Sequence, residues 1–167
     1  MANVHPHYKP KTHKKSSENI VKKPLDHNKL GLHGEIFVLE RLLEAGYKAQ
    51  ICRNLAFSGD CLATCIQTGE LHHVEVKTAQ KSSNGGYRFC MFKNGHTDCK
   101  NSDFAILICI DDYGTHYLYV IPCALILSNY ITISSHPTVY KGKYSTFRIY
   151  GNINFAETRE VAELWLQ

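Results

Sequence analysis

Phe104–Ile110 is an uninterrupted run of seven apolar residues between two aspartates, and it constrains the fold of this chain more than any other segment. A run of this length is too short to span a bilayer and is typical of a central strand that is covered on both faces. The turn sequence Asp111-Asp112-Tyr113-Gly114 then leads into a second strand over 116–121. The sequence therefore predicts a hairpin at the centre of a sheet.

Helical and strand patterns flank this hairpin. Apolar periodicity predicts a helix from about Leu30 to Ala45, and a capping-box-like start at Asn154 predicts another that runs to Leu166. Further strands are predicted at about 47–53, 61–67, 71–78 and 87–93. We therefore expect an α/β (α+β) domain over residues 29–167, in which a mixed central β-sheet is flanked by helices.

Positive charge is concentrated at the N-terminus. Residues 1–30 contain seven lysines and two acidic residues, so this segment carries +5 while the whole chain carries +4 and the remainder −1. We expect residues 1–28 to be a flexible basic leader. Such an arm could follow a nucleic-acid backbone with an affinity that falls as salt rises, although a solubilising role explains it equally well.

The sequence also predicts where the protein works. It starts without the apolar region of a signal peptide, and its apolar runs are too short to span a membrane. The seven cysteines are odd in number and form no C-x-x-C motif, so they read as reduced thiols. We expect a cytoplasmic protein without a membrane partner. A zinc site is a minor alternative, and strand alternation opposes it. Its ligands would be Cys90, His96 and Cys99, or Cys61, Cys65 and a histidine of 72–73.

Glu75 and Lys77 are two residues apart in a predicted strand. Alternation puts this carboxylate and ammonium on one face, about 6.5–7 Å apart along the strand, with Val74 and Val76 on the other face. Taken alone, the triplet is more often a solvated strand face.

Asp60 gives the triplet its significance. It follows a Ser58-Gly59 bend, and the next two strands form a hairpin that turns at Thr68-Gly69. If residues 67 and 70 flank the turn, Asp60 lies opposite Lys77 and diagonal to Glu75. Carboxylates this close stay ionised together when a cation lies between them, and hard oxygen ligands suit Mg²⁺, with Mn²⁺ as a substitute. The sequence thus predicts a metal site with a lysine beside it.

Glu35 is a third acidic candidate, directly after Gly34 in the predicted first helix. We expect it on the apolar face of that helix, among Leu32, Val38, Leu39 and Leu42. A carboxylate there needs a partner, and a metal-bound water at the strand edge would supply one. A helix N-terminal acid favoured by the macrodipole is an equally good explanation.

The ordered set Gly34-Glu35, Gly59-Asp60 and Glu75-Val76-Lys77-Thr78 resembles the PD-(D/E)xK nuclease superfamily, and most of all its group I intron-encoded homing endonucleases. The resemblance runs from about Leu30 to Ser145. It departs from the superfamily pattern at Gly59, where the name has proline. It implies a restriction-endonuclease-like core and metal-dependent hydrolysis of DNA phosphodiesters.

The resemblance also implies a role for each site residue. Asp60 and Glu75 would ligate the metal with help from the Val76 carbonyl. Glu35 would bind the metal or its water, and Lys77 would be the catalytic lysine. Since a duplex has two strands to cut, we expect double-stranded DNA to be bound by a homodimer or higher homo-oligomer.

The segment after the triplet offers basic residues for DNA. The candidates are Lys81, Arg88, Lys93 and Lys100. Arg88 and Lys93 could read guanine edges or hold phosphates, although a solvated surface charge explains each of them as well. The interval 79–103 reads as loop and strand, whereas junction resolvases have a helix there. We therefore favour a site-specific homing or restriction-like nuclease over a structure-specific junction resolvase or a catalytically silent nucleic-acid-binding module of the same fold.

Overall fold

The computed structural model describes residues 26–52, 59–93, 96–135 and 143–167. The described residues form a mixed α+β architecture, in which a central mixed sheet is flanked by helices. The helices are α1 (His27–Glu44) and α2 (Phe155–Trp165). The strands are β1 (Tyr47–Ile51), β2 (Cys61–Cys65), β3 (Leu71–Gln80), β4 (Gly86–Cys90), β5 (Phe92–Lys93), β6 (His96–Thr97), β7 (Phe104–Ile110), β8 (His116–Pro122), β9 (Tyr130–Ser134) and β10 (Arg148–Ile149).

The predicted central hairpin is confirmed. The main sheet has the order β1-β2-β3-β7-β8-β10, so β7 lies inside it, parallel to β3 and antiparallel to β8. All seven residues of β7 are buried. Its uninterrupted apolar sequence follows from this position, because both faces of the strand are covered.

The two faces of the sheet pack against different elements. Val74 and Val76 of β3 share a buried cluster with Val38 and Leu42 of α1. Ala79 of the same strand belongs instead to the cluster that contains the inward-facing residues of β4 and β9. By strand alternation, Glu75 and Lys77 lie on the Ala79 face, opposite α1.

The described residues between β3 and β7 contain no α-helix. The chain between these parallel strands forms β4, β5, β6 and a short 3₁₀ turn over Asp98–Asn101, which confirms the predicted loop-and-strand interval. β4 pairs in antiparallel fashion with β9, a strand that the sequence pattern did not reveal. The two strands form a separate ribbon that packs over the main sheet.

α1 begins earlier than the apolar pattern predicted. Asp26 caps it by accepting a hydrogen bond from the Asn28 backbone N–H at 3.1 Å, so the helix starts at His27, inside the predicted leader. The first helical residues are exposed, which is why apolar periodicity gave no sign of them. The leader itself, up to residue 25, lies outside the described residues.

α2 starts where its capping sequence predicted. The Asn154 side chain accepts hydrogen bonds from the backbone N–H groups of Ala156 and Glu157. Within the described ranges, no helix combines the length and apolar character that crossing a membrane requires.

The β2–β3 hairpin has a different register from the one predicted. Cys61 pairs with Val74 and Thr64 with Leu71, so the partners on β3 are displaced by two residues relative to the expected pairing. The cause is the turn, because the Cys65 N–H bonds to the Glu70 carbonyl and four residues, rather than two, form the loop. Cys61 and Cys65 still share the face of Val74, as predicted, since the displacement preserves parity.

Candidate active site

Asp60 and Glu75 meet where β2 begins beside the middle of β3. The Asp60 backbone N–H donates to the Val74 carbonyl at 2.8 Å, and the Asp60 Oδ2 accepts from the Val76 N–H at 2.8 Å. Its carboxylate therefore lies against the peptide that joins Glu75 to Val76. The predicted position opposite Lys77 is wrong by two residues, because continuing the observed register puts Asp60 opposite Glu75.

Lys77 is in direct contact with Glu75. Its Nζ donates to Glu75 Oε1 at 2.6 Å, and the side chains are 24% and 8% exposed, respectively. The predicted common face of the two side chains is thus confirmed. A short contact between an ammonium and a nearly buried carboxylate neutralises a charge that is largely shielded from water.

Gly59 explains the departure from proline before Asp60. Its φ is +97°, a conformation that proline, whose φ is near −65°, does not adopt. A Cβ at this position would also lie 2.9 Å from the Val74 carbonyl oxygen and 3.1 Å from Ser102 Oγ. The glycine therefore allows the chain to pass close to β3 just before it delivers Asp60.

Replacing Gly59 with alanine should lower the free energy of unfolding by at least about 2 kcal/mol, through backbone strain and the added contact with β3. The measurement is urea unfolding, followed by circular dichroism. Gly69→Ala is the matched control, because Gly69 also has a positive φ of 74° but open space around it. Equal losses for the two variants would refute a special role for the close approach to Val74.

Glu35 approaches the site from α1, on the other face of the sheet. The buried stripe of α1 consists of Leu30, Gly34, Val38 and Leu42. Leu32 is 41% exposed, so its expected place on the core face is wrong and Glu35 lies half-buried at the boundary. The stripe centres on Gly34 because a Cβ there would come within 1.8 Å of Thr78 Oγ1, so only glycine allows this close contact between α1 and β3.

The end of β1 connects Glu35 with Asp60. Glu35 lines an open cleft together with Cys52, and the Cys52 backbone N–H donates to the Asp60 carbonyl at 2.7 Å. The pKa of the Cys61 thiol is raised to about 12, mainly by burial and in addition by the negative charges of Asp60, Glu35 and Glu75. Three carboxylates thus act on one buried sulfur, which indicates a region of concentrated negative charge.

The donor set fits a cation that is held only partly by protein. In the described part of the chain, no three His, Cys, Asp or Glu side chains are grouped so that they could hold a metal ion by themselves. Mg²⁺ commonly keeps several waters and takes one or two carboxylates plus substrate phosphate oxygens, which is compatible with Asp60 and Glu75. A closed zinc site needs more ligands. Cys61 and Cys65 instead pack in the α1-side core, while the His96 side chain is outside the described residues.

The four basic candidates are placed differently. Lys81, just after β3, forms an ion pair with Asp112 at 3.1 Å. Arg88 is exposed on β4. β5 ends at Lys93, and Lys100 lies in the 3₁₀ turn, but the side chains of both are outside the described part. The structure thus describes the side chains of Lys81 and Arg88 alone among these four.

Two further residues, one beside Gly59 and one beside Arg88, were not predicted from the sequence. The Ser102 hydroxyl is buried beside Gly59 and has no hydrogen-bond partner among the described residues. Tyr130 lies under Arg88, with 4.2 Å between the guanidinium carbon and the ring centroid. No local signal marks Tyr130, because β9 is forty residues from β4 and only their pairing brings the ring to the arginine.

Comparisons with known proteins reveal a fold relative. No protein-family profile and no curated protein sequence matches the chain. Among solved structures, the chain is similar to the bacterial homing endonuclease I-Ssp6803I. The TM-score is 0.62 at 19% sequence identity, over 83% of this chain and 96% of that one. The likeness is one of fold. The α+β architecture expected from the sequence is therefore confirmed, and it is similar to the fold of that protein.

Proposed function

We propose that this protein is a divalent-metal-dependent DNA endonuclease that hydrolyses phosphodiester bonds at specific sites. The observation that carries the proposal is the arrangement on β3, where Lys77 contacts Glu75 at 2.6 Å and Asp60 binds the next peptide N–H at 2.8 Å. In this protein the arrangement lies within a fold that is similar to that of a homing endonuclease. PD-(D/E)xK chemistry is our assignment for these residues.

Asp60 and Glu75, with the Val76 carbonyl, would hold Mg²⁺, and Mn²⁺ would substitute for it. Glu35 would bind the metal or one of its waters from the α1 side. When bound, such a cation lowers the pKa of a water ligand and stabilises charge on the phosphate. The hydrogen bond from the Val76 N–H orients the Asp60 carboxylate, so this ligand is held in place before substrate arrives.

Lys77 would act on the attacking water. Its ammonium lies beside Glu75, where it can hold the nucleophile in line with the scissile bond or neutralise charge that develops on the phosphate. Glu75 in turn fixes the position of the ammonium. The burial of this pair limits competition from bulk water, which strengthens its electrostatic effect.

Double-stranded DNA is the proposed partner, bound in the cytoplasm by a homodimer or higher homo-oligomer with one active site for each strand. Lys81, Arg88, Lys93 and Lys100 are the proposed contacts. Lys81 can exchange the exposed Asp112 for a phosphate at little cost, because surface ion pairs contribute only about 0–1 kcal/mol.

Asp60→Asn tests this function most directly. An asparagine keeps an oxygen that can accept from the Val76 N–H but lacks the charge that a metal ligand needs. With Mg²⁺ or Mn²⁺, we expect the variant to cleave at least about 100-fold more slowly than wild type while staying folded. The substrates are plasmid libraries, randomised duplexes and four-way junctions, each incubated with Mg²⁺, Mn²⁺ or Ca²⁺, and sequenced ends reveal whether cutting is site-specific.

The outcomes separate the proposal from its rivals. Cleavage of junctions alone would favour a structure-specific resolvase, which the strands between β3 and β7 argue against. Intact substrates, bound equally well with or without metal and unaffected by Asp60→Asn, would favour a silent nucleic-acid-binding module. Either result would overturn site-specific cleavage.

A further inference from the structure

The β4–β9 ribbon has two chemically different faces. Its inward-facing side chains, each at most 8% exposed, pack on the main sheet and are Tyr87, Phe89, Ile131 and Ile133. Its outward-facing positions are Gly86, Arg88, Cys90, Tyr130, Thr132 and Ser134. The inner residues anchor the ribbon, and the outer ones, of which all but Gly86 are exposed, are available to a partner.

The outer face carries positive charge and hydrogen-bonding groups but no acidic residue. Gly86 pairs with Ser134, Arg88 with Thr132 and Cys90 with Tyr130, so an arginine lies at the centre of the polar face. Other exposed arginines in the described residues are already paired, Arg41 with Glu44 and Arg159 with Glu70. No described carboxylate forms an ion pair with Arg88.

Tyr130 holds the Arg88 side chain. The two residues are diagonal neighbours across the ribbon, and the guanidinium carbon lies 4.2 Å from the ring centroid. Stacking restricts the orientation of the planar guanidinium and leaves its N–H groups free to bind another molecule. Less conformational entropy is then lost when Arg88 makes a bidentate contact.

We infer that the β4–β9 ribbon enters the major groove of duplex DNA and that Arg88, stacked on Tyr130, reads a guanine there. A two-stranded ribbon fits a groove about 12 Å wide, and an arginine fork matches the O6 and N7 acceptors of guanine. The inference rests on the proposed function, because it assigns the specificity of the same DNA substrate to a named surface.

The position of the ribbon relative to β3 limits which base is read. Lys77 is three residues, or about 10 Å, from the end of β3, and only the turn over residues 81–85 separates β3 from β4. The ribbon and Lys77 also share one face of the main sheet. The guanine should therefore lie within about one helical turn, roughly 10 base pairs, of the cleaved bond.

Selection of binding sites from a randomised duplex library tests the inference. The library is presented to Lys77→Met protein, and in parallel to unmodified protein in EDTA, so that the DNA stays intact. With Arg88 intact, we expect the selected sites to share a guanine at one position. In Arg88→Ala and in Arg88→Lys, which keeps the charge but not the forked guanidinium, any base should be accepted at that position. Arg41→Ala is the matched control, since Arg41 is also exposed and near an aromatic ring but belongs to α1.

The decisive comparison uses 7-deazaguanine, which lacks the N7 acceptor. Placed at the selected guanine, it should weaken binding by Arg41→Ala and by the parent protein about 5- to 100-fold, with no further effect on Arg88→Ala. Tyr130→Leu should bind the normal site more weakly than the parent while still sensing the substitution. Equal sensitivity in Arg88→Ala, or a library without any preferred site, would overturn the inference.

The two proposals fail in different ways. If a guanine is selected through Arg88 but the protein with Lys77 intact never cleaves DNA with Mg²⁺, the endonuclease assignment is wrong and the ribbon inference holds. If cleavage requires Mg²⁺ and Asp60 but Arg88→Ala keeps the full site preference, the ribbon inference alone is wrong.

Discussion

Replacing Lys77 with methionine should reduce metal-dependent DNA cleavage by about 10²- to 10⁴-fold while preserving the fold. Methionine retains much of the side-chain volume but not the ammonium that contacts Glu75 at 2.6 Å. The nearly buried carboxylate is then left without this contact, which should cost up to about 3 kcal/mol of stability, less than in a fully buried pair because Lys77 is 24% exposed. Initial rates of plasmid nicking, measured well below the melting temperature, give the effect.

Lys48→Met is the control for this variant. Lys48 is an exposed lysine of β1, where it pairs with Thr64 at the edge of the sheet, and its loss should leave the nicking rate unchanged. A Lys77→Met protein that is folded and cuts at the wild-type rate would contradict the assigned role of Lys77. Circular dichroism at the assay temperature distinguishes a loss of chemistry from a loss of folded protein.

Replacing Gly34 with alanine should destabilise the protein by about 1–3 kcal/mol, although alanine favours helices by about 1 kcal/mol over glycine. The added Cβ would lie 1.8 Å from Thr78 Oγ1 and 3.1 Å from Ile108 Cδ1. Rotation of the Thr78 side chain would not remove this clash, because it would turn the methyl group of the branched side chain toward the helix. Urea unfolding measures the loss of stability. Cleavage should fall as well, because the added Cβ displaces α1 and thereby moves Glu35 away from β3.

Two variants test whether this contact is the cause. Gly31→Ala lies in the same helix with open space around it and should stabilise the protein by up to about 1 kcal/mol. Thr78→Ala added to Gly34→Ala should recover at least about 1 kcal/mol, because it removes the atoms that clash. If Gly34→Ala is as stable as Gly31→Ala, α1 does not depend on a close approach to β3.

Most elements were predictable because their signals are local. The apolar sequence of β7, the turn at Asp111–Gly114 and the Asn154 cap each act within a few residues, and the structure confirms all three. The register of β2 with β3 was not predictable, because a four-residue loop and a two-residue turn are both compatible with the same Thr68-Gly69 sequence. Here the backbone of the loop, through the bond from Cys65 to Glu70, decides the outcome.

In the candidate site, too, some features were predictable from the sequence and others were not. Alternation along one strand determines that Glu75 and Lys77 share a face, so the sequence by itself predicted this common face, on which the structure shows them in contact. Only the tertiary structure decided that Asp60 binds the Val76 N–H, that Glu35 comes from the opposite face, and that Tyr130 supports Arg88. The physical reason is distance along the chain: periodicity orients side chains within one element, whereas contacts between elements depend on register, loop geometry and packing that no local pattern encodes.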